Sequence, residues 1–280
     1  MRKVLSALLM GALLLAAPGL AFADTGAGTA KGVAPDAAAV AKGATRTLVV
    51  GSDVFIGDVI NTGPKGDVQI LFADNTQLVV GPHSSLKIED YLLRNNGDPG
   101  KFTVDMLSGA FRFATGNSPK SDYQIKTPDG TIGVRGTRFD VFVGGGHTRL
   151  MMYEGTTRFC ARNGQCVNLS GVCNVGDYTT ALAQIVGDAR NIGGAEHTAL
   201  RSQFIYFVNQ SPLLRAFWFP NGLECLNRTP VITVTDPGIT NNHGQPGPQT
   251  NGNNGNNNPP PNNPPANPPG NIVGIRNNNR

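Results

Sequence analysis

The sequence predicts an all-β domain over residues 47–178, with a helical segment at 179–235 packed on it. Three observations carry this reading. Apolar residues recur at every second position in short runs: Val68, Ile70 and Phe72; Leu78 and Val80; Leu86 and Ile88; Phe102, Val104 and Met106; Phe111 and Phe113; Ile132 and Val134; Phe139, Val141 and Val143. Period two means strands with one face buried. Between the runs stand turn signals: Gly63-Pro64-Lys65-Gly66, Asp74-Asn75, Gly81-Pro82, Asn95 to Gly100, and Gly144-Gly145-Gly146. These residues supply the positive or fixed φ that tight turns need. Near residue 179 the period then changes, and many short strands followed by helices favour an all-β unit over an α/β one.

The elements follow in chain order. Met1-Arg2-Lys3, an apolar run from Val4 to Ala17 and Ala21-Phe22-Ala23 read as a cleavable signal peptide over 1–23. The apolar run is shorter than the ~20 residues that span a bilayer. Cleavage before Asp24 would leave no membrane span, and the expected location is periplasmic or secreted. Residues 24–46, rich in Ala and Gly, read as a flexible lead-in.

Cysteine usage agrees with export. Cys160, Cys166, Cys173 and Cys225 are an even number in an oxidising compartment, which favours two disulfides. Four cysteines allow three pairings. Ala161 to Gln165 reads as a hairpin turn, favouring Cys160–Cys166, and Cys173–Cys225 would then staple the C-terminal segment to the strands. The spacing does not suit zinc.

In the 179–235 segment, Leu200, Phe204, Phe207 and Val208 are spaced to share one helix face. Ser211-Pro212 reads as an N-cap opening a short helix through Leu213, Leu214, Phe217 and Trp218. The stretch 204–219 holds six of the 19 aromatic residues, so it should cover a face of the β unit or dock a partner. Residues 236–280 form the last zone. Within 241–280, 15 Asn, nine Pro and six Gly leave too little apolar surface to offset ordering, so a disordered tail is expected.

Charge and motifs then exclude function classes. Formal net charge is +4, and removal of Arg2 and Lys3 reduces it to +2, too little to argue for nucleic acid. No G-x-S-x-G, H-E-x-x-H or phosphate-loop motif is present, and the four histidines share no metal-ligand spacing. No catalytic, cofactor-binding or metal-binding residue is expected.

One run has a recognisable pattern. Gly57-Asp58-Val59-Ile60 leads to Phe72-Ala73-Asp74-Asn75-Thr76, and later to Thr127-Pro128-Asp129-Gly130-Thr131-Ile132-Gly133-Val134-Arg135-Gly136-Thr137-Arg138-Phe139. Over residues 48–143 this resembles the FecR domain, with its G-D-x-I opening and T-P-x-x-x-x-x-V-R-G-T-x-F run; Asn75 stands where the family usually has Gly. The resemblance implies a solenoid-like or roll-like β fold. It also implies a relay with a cytoplasmic anti-sigma segment, one membrane span and a periplasmic domain touching an outer-membrane receptor. Three residues before the apolar run leave no room for that output segment, so the expected architecture is a stand-alone exported FecR-domain protein.

Thr127, Pro128, Val134, Arg135, Gly136, Thr137 and Phe139 are therefore the candidate motif. Gly136 inside a strand pattern indicates a bend or close backbone approach that a Cβ would block. The guanidinium of Arg135 could brace carbonyls exposed at that bend, which is the favoured reading. Otherwise Arg135 or Arg138 reads an anionic partner. The expected function is a non-enzymatic binding or sensing module of the cell envelope, contacting a protein or envelope polymer. The alternatives are a structural or surface-attached envelope protein that uses its tail, and more distantly a secreted hydrolase.

Overall fold

The computed structural model describes residues 26–93, 99–117, 123–220 and 222–227. The expected signal peptide and low-complexity tail lie outside the described residues. Fifteen strands make one open mixed sheet: β1 Gly26–Ala34, β2 Ala37–Ala41, β3 Ala44–Thr47, β4 Asp53–Phe55, β5 Val59–Thr62, β6 Asp67–Phe72, β7 Gln77–Val80, β8 Ser85–Leu93, β9 Pro99–Ala114, β10 Tyr123–Thr127, β11 Gly130–Gly144, β12 His147–Ala161, β13 Cys166–Ser170, β14 Asn174–Tyr178 and β15 Ala183–Asp188.

The pairing resolves into two layers joined by three long strands. The C-terminal part of β9 pairs β7 and β11 through Phe111 and Phe113, whereas its N-terminal part pairs β8 and, in parallel, β10. In β11, Arg138–Val143 pair β9, and Gly130–Gly133 pair β10. In β12, Thr148–Met151 pair β14, and Thr156–Cys160 pair β13. One layer thus runs β4-β1-β6-β7-β9-β11-β12-β14-β15, and the other β3-β2-β5-β8-β9-β10-β11-β12-β13. The result is the roll-like all-β architecture.

Period-two residues fill the space between the layers, as alternation requires. Phe72 and Phe113 of the first layer meet Phe102 of the second, with ring centroids 4.9 and 5.9 Å apart. Phe139 lies 5.4 Å from Phe113, and Tyr123 lies 5.5 Å from Phe102. Burying an aromatic ladder of this kind contributes roughly 1.5–3 kcal/mol per side chain. Asn75, at φ 66°, turns β6 into β7 as the sequence suggests, and Gly145 and Gly146, both at positive φ, turn β11 into β12.

Three expectations are corrected. Residues 24–46 are not a loose lead-in: from Gly26 onward they form β1, β2 and β3, with Ala27, Ala30, Ala37 and Ala39 buried. Small residues are required there, because a Cβ on Gly28 would come within 2.8 Å of the Leu71 carbonyl oxygen. The β unit also does not end at Tyr178, since Ala183–Asp188 pair with β14 as β15.

The helical segment is shorter and more broken than its spacing suggests. It comprises α1 Gly194–Gln203, α2 Ile205–Val208, a 3-10 turn at Arg215–Phe217 and α3 Glu224–Asn227. Phe204, at φ −101° and ψ 60°, separates α1 from α2, yet Leu200, Phe204 and Phe207 still share one buried cluster with Met151 and Val175. Ser211-Pro212 opens no helix. Asn209 Oδ1 takes the Ser211 amide at 2.9 Å, and the Leu213 amide donates to the Gln210 carbonyl at 2.9 Å, so the chain turns. Tyr206, Leu213 and Phe217 pack on Val79 and Leu71. The segment therefore covers the outer face of the first layer.

Candidate binding face

Thr127, Pro128, Val134 and Arg135 sit where β10, β11 and β12 form the second layer, and Gly136, Thr137 and Phe139 follow β11 into the first. Thr127 ends β10, and its hydroxyl accepts the amides of Asp129 at 3.3 Å and Gly130 at 3.2 Å. Thr148 Oγ1 donates to Asp129 Oδ2 at 2.8 Å and lies 3.0 Å from Thr127 Oγ1. The Thr-Pro-Asp-Gly turn is thus fixed by a buried hydroxyl network, with Pro128 inside it. Val134 and Phe139 are buried in the core.

Gly136 lies at the bend by which β11 leaves the second layer for the first. Its φ is 63°, a region that favours glycine, and the β11–β12 register shifts between Arg135 and Arg138. Across the bend, Gly155 on β12 has φ 83°, and a Cβ there would come within 2.2 Å of the Gly136 carbonyl oxygen. Thr137 clamps the end of β9: its amide donates to Thr115 Oγ1 at 3.0 Å, and its carbonyl accepts the Thr115 amide at 3.1 Å. The bend is held by backbone and threonine bonds.

Arg135 takes no part in that brace, which corrects the favoured sequence reading. Alternation sends Val134 inward and Arg135 outward; Arg135 is exposed and its guanidinium has no partner among the described residues. The backbone closes the bend without it. Arg138 is also exposed, 3.5 Å from Glu154.

Register places Arg135 on an open surface. Gly133 lies opposite Arg158 on β12 and Gln124 on β10, while Arg135 lies opposite Thr156. Beyond β12, Asn168 pairs Arg158 and Ser170 pairs Thr156. Gln124, Gly133, Arg135, Thr156, Arg158, Asn168 and Ser170 are all exposed, and no described element packs on them. Arg158, like Arg135, has no ion-pair partner among the described residues.

Toward β8 the same face neutralises itself. Glu89 pairs with Lys126 and, at 3.2 Å, with Lys87, so its carboxyl is held below the usual range chiefly by the Lys126 bond. Asp105 nearby is pushed up, first by burial and then by the Glu89 charge. Among the described residues of this face, positive charge without a counter-charge is therefore concentrated at Arg135 and Arg158.

The opposite outer face holds a site that sequence reasoning missed. Arg112, 1% exposed, donates from Nε to Asp140 Oδ1 at 2.7 Å and from Nη2 to Oδ2 at 3.0 Å. It also bonds Gln210 Oε1 and lies 4.1 Å from the Phe219 ring centroid. Gln210 in turn donates to the Phe219 carbonyl at 3.0 Å and accepts its amide at 2.7 Å. Asp67 accepts from Tyr206 Oη at 2.5 Å and from Gln69 Nε2 at 3.0 Å; burial pushes its carboxyl up despite those bonds. Arg112, Asp67 and Gln69 all bond the C-terminal segment, so the chemistry of this patch is that of a glued interface. The usable signal was the crowd of aromatics at 204–219, which needed a sheet face to cover.

The cysteines pair as Cys160–Cys166, across β12 and β13, and Cys173–Cys225, which ties α3 to the start of β14. Among the described residues, no group of three His, Cys, Asp or Glu side chains could hold a metal ion, and no helix is long and apolar enough to cross a membrane.

No curated protein matches the chain. Two solved structures from Parabacteroides distasonis, each described as a "putative anti-sigma factor", match at 13% and 14% identity with TM-scores of 0.38. They cover 48% and 52% of this chain, which spans 61% and 64% of theirs. The family model described as FecR protein matches residues 58–158, a span that opens at the buried Asp58 and closes at the exposed Arg158. Over those residues the chain carries a FecR domain.

Proposed function

We propose that this chain is an exported, non-enzymatic sensing module of the bacterial cell envelope that binds a protein or envelope polymer through the open outer face of its second layer. The FecR domain supports a regulatory or sensing role. The observation that carries the reading is the exposed Arg135, which has no partner among the described residues. It is the arginine of the Val134-Arg135-Gly136-Thr137 run, and the fold does not use it. The first layer is closed by the C-terminal segment, whereas no described element packs on the outer face of the second.

The test is site-specific photo-cross-linking in the native envelope from Thr156, on the open face, and from Thr198, on the covering helix α1. Adducts should form from Thr156, not from Thr198, and should disappear in Arg135→Ala while the melting temperature stays unchanged. An Arg135→Ala protein that melts lower but cross-links normally would return Arg135 to a structural role and sink the reading. The mature N-terminus of the same preparation should be Asp24.

A further inference from the structure

The open face has a feature that the fold does not explain. Gly133 lies in mid-strand, where glycine normally weakens a strand. Its φ is not positive, and an added Cβ would meet only the Arg158 carbonyl oxygen, at 3.6 Å, an ordinary contact. A side chain would fit, so neither packing nor backbone conformation requires glycine here. Its effect is to leave a bare strip of backbone in the face. Around that strip stand Arg158 directly across β12, Arg135 two residues along β11, and Gln124 directly across β10. Thr156 and Asn168 continue the rim. Among the described residues the rim offers donors throughout and has no carboxylate. Among the described residues the nearest acids already face cations: Glu154 faces Arg138, Glu89 faces Lys126, and Asp105, opposite Lys126 on β10, faces the same lysine.

Spacing narrows the ligand. Arg135 and Arg158 stand in the diagonal relation across an antiparallel pair, which puts such side chains about 7–8 Å apart. An extended peptide advances about 3.3 Å per residue, so its alternate side chains lie about 6.6 Å apart on one face. Two carboxylates at i and i+2 of such a peptide would each meet one planar guanidinium fork.

We infer that the Gly133 strip is a docking site for an extended acidic segment of a partner protein, with carboxylates at alternating positions. The Arg135 and Arg158 guanidinium groups take successive carboxylates, and the bare Gly133 backbone lets the peptide lie close to the sheet. The inference rests on the reading of the open face as the binding surface, and it names the chemistry of what binds there.

The experiment uses the purified mature chain with its disulfides intact and a fluorescein-labelled ten-residue peptide of alternating Glu and Ser, read by anisotropy. A peptide of equal charge arranged Glu-Glu-Ser-Ser serves as the spacing control. Arg135→Ala and Arg158→Ala should each weaken binding of the alternating peptide by about tenfold, the scale of one lost charge-assisted pair. Gly133→Val should weaken it by a similar factor by filling the strip, with a melting temperature equal to or above wild type. The spacing control should bind more weakly than the alternating peptide, and added salt should weaken both.

Equal affinity for the two peptides, or binding indifferent to Arg158→Ala and Gly133→Val, would overturn the inference. If cross-links from Thr156 persist in the envelope while the alternating peptide fails to bind, the acidic-segment inference falls and the open face stands. If Thr156 captures nothing, the functional reading itself falls.

Discussion

Replacing Arg112 by Met tests the account of the covered face. The guanidinium is fully buried, bonded twice to Asp140 and once to Gln210, and stacked on Phe219. Met keeps much of the apolar volume but leaves the Asp140 carboxylate buried with no counter-charge. Burial already pushes that carboxyl up against the opposing Arg112 charge. Breaking one side of a buried pair costs about 3–5 kcal/mol. For a unit of this size that corresponds to a fall of about 6–20 °C in melting temperature. Removing both partners, in Arg112→Met with Asp140→Leu, should recover most of the loss, because no charge is then stranded. Gln210 keeps its two bonds to Phe219 in either variant. Urea unfolding followed by fluorescence of the single tryptophan, Trp218, reports the covering segment directly, since its indole donates to the Leu213 carbonyl at 2.9 Å. A single variant that loses less than about 1 kcal/mol, or a double variant as unstable as the single, would show that the pair is not the electrostatic link between sheet and segment.

Two further outcomes follow from the same structure. Gly136→Val should destabilise by about 1–3 kcal/mol, because φ at 63° strains a β-branched residue; a melt identical to wild type refutes the assigned bend. Asp67→Asn should flatten the pH dependence of stability. The folded carboxyl binds its proton more tightly than the unfolded one, so its contribution is full below about pH 4 and is lost as pH rises through the raised value. Unfolding midpoints at pH 4 and pH 7 should therefore differ less in the variant than in wild type.

Alternation of large apolar residues made β6 to β9 and β11 legible, because each such run has one face that must be buried. The same criterion passed over β1 to β3. The large buried side chains that mark the later strands are absent there. The buried positions of β1 and β2 include Ala27, Ala30, Ala37 and Ala39, whose hydropathy contrasts weakly with their neighbours, and β3 buries no residue. What selects small residues there is close backbone approach, as at Gly28 beside Leu71, and this depends on a partner strand some forty residues away. The broken helix at Phe204 has a related cause. The apolar spacing identifies the buried face, while Gln210 is placed by its bond to Arg112, about a hundred residues earlier, Phe219 by its bonds to Gln210, and α2 by the Tyr206 bond to Asp67.

The two arginines make the limit of local reading concrete. Arg112 lies between Phe111 and Phe113, and Arg135 follows Val134; alternation turns both away from the inter-layer core. Nothing adjacent in sequence distinguishes them. Arg112 ends up sealed, neutralised and stacked because the segment from Leu200 to Phe219 closes over the first layer. Arg135 ends up bare because nothing described closes over the second. An arginine sealed beneath aromatics costs too much to expose to be a recognition group, since exposing it would break the Asp140 pair and release the covering segment together. An arginine held on a rigid strand, beside a glycine that packing does not require, is already oriented and meets a partner without that penalty. By occupying the outer face of the first layer, the covering segment leaves the second as the face to which the proposed binding is assigned.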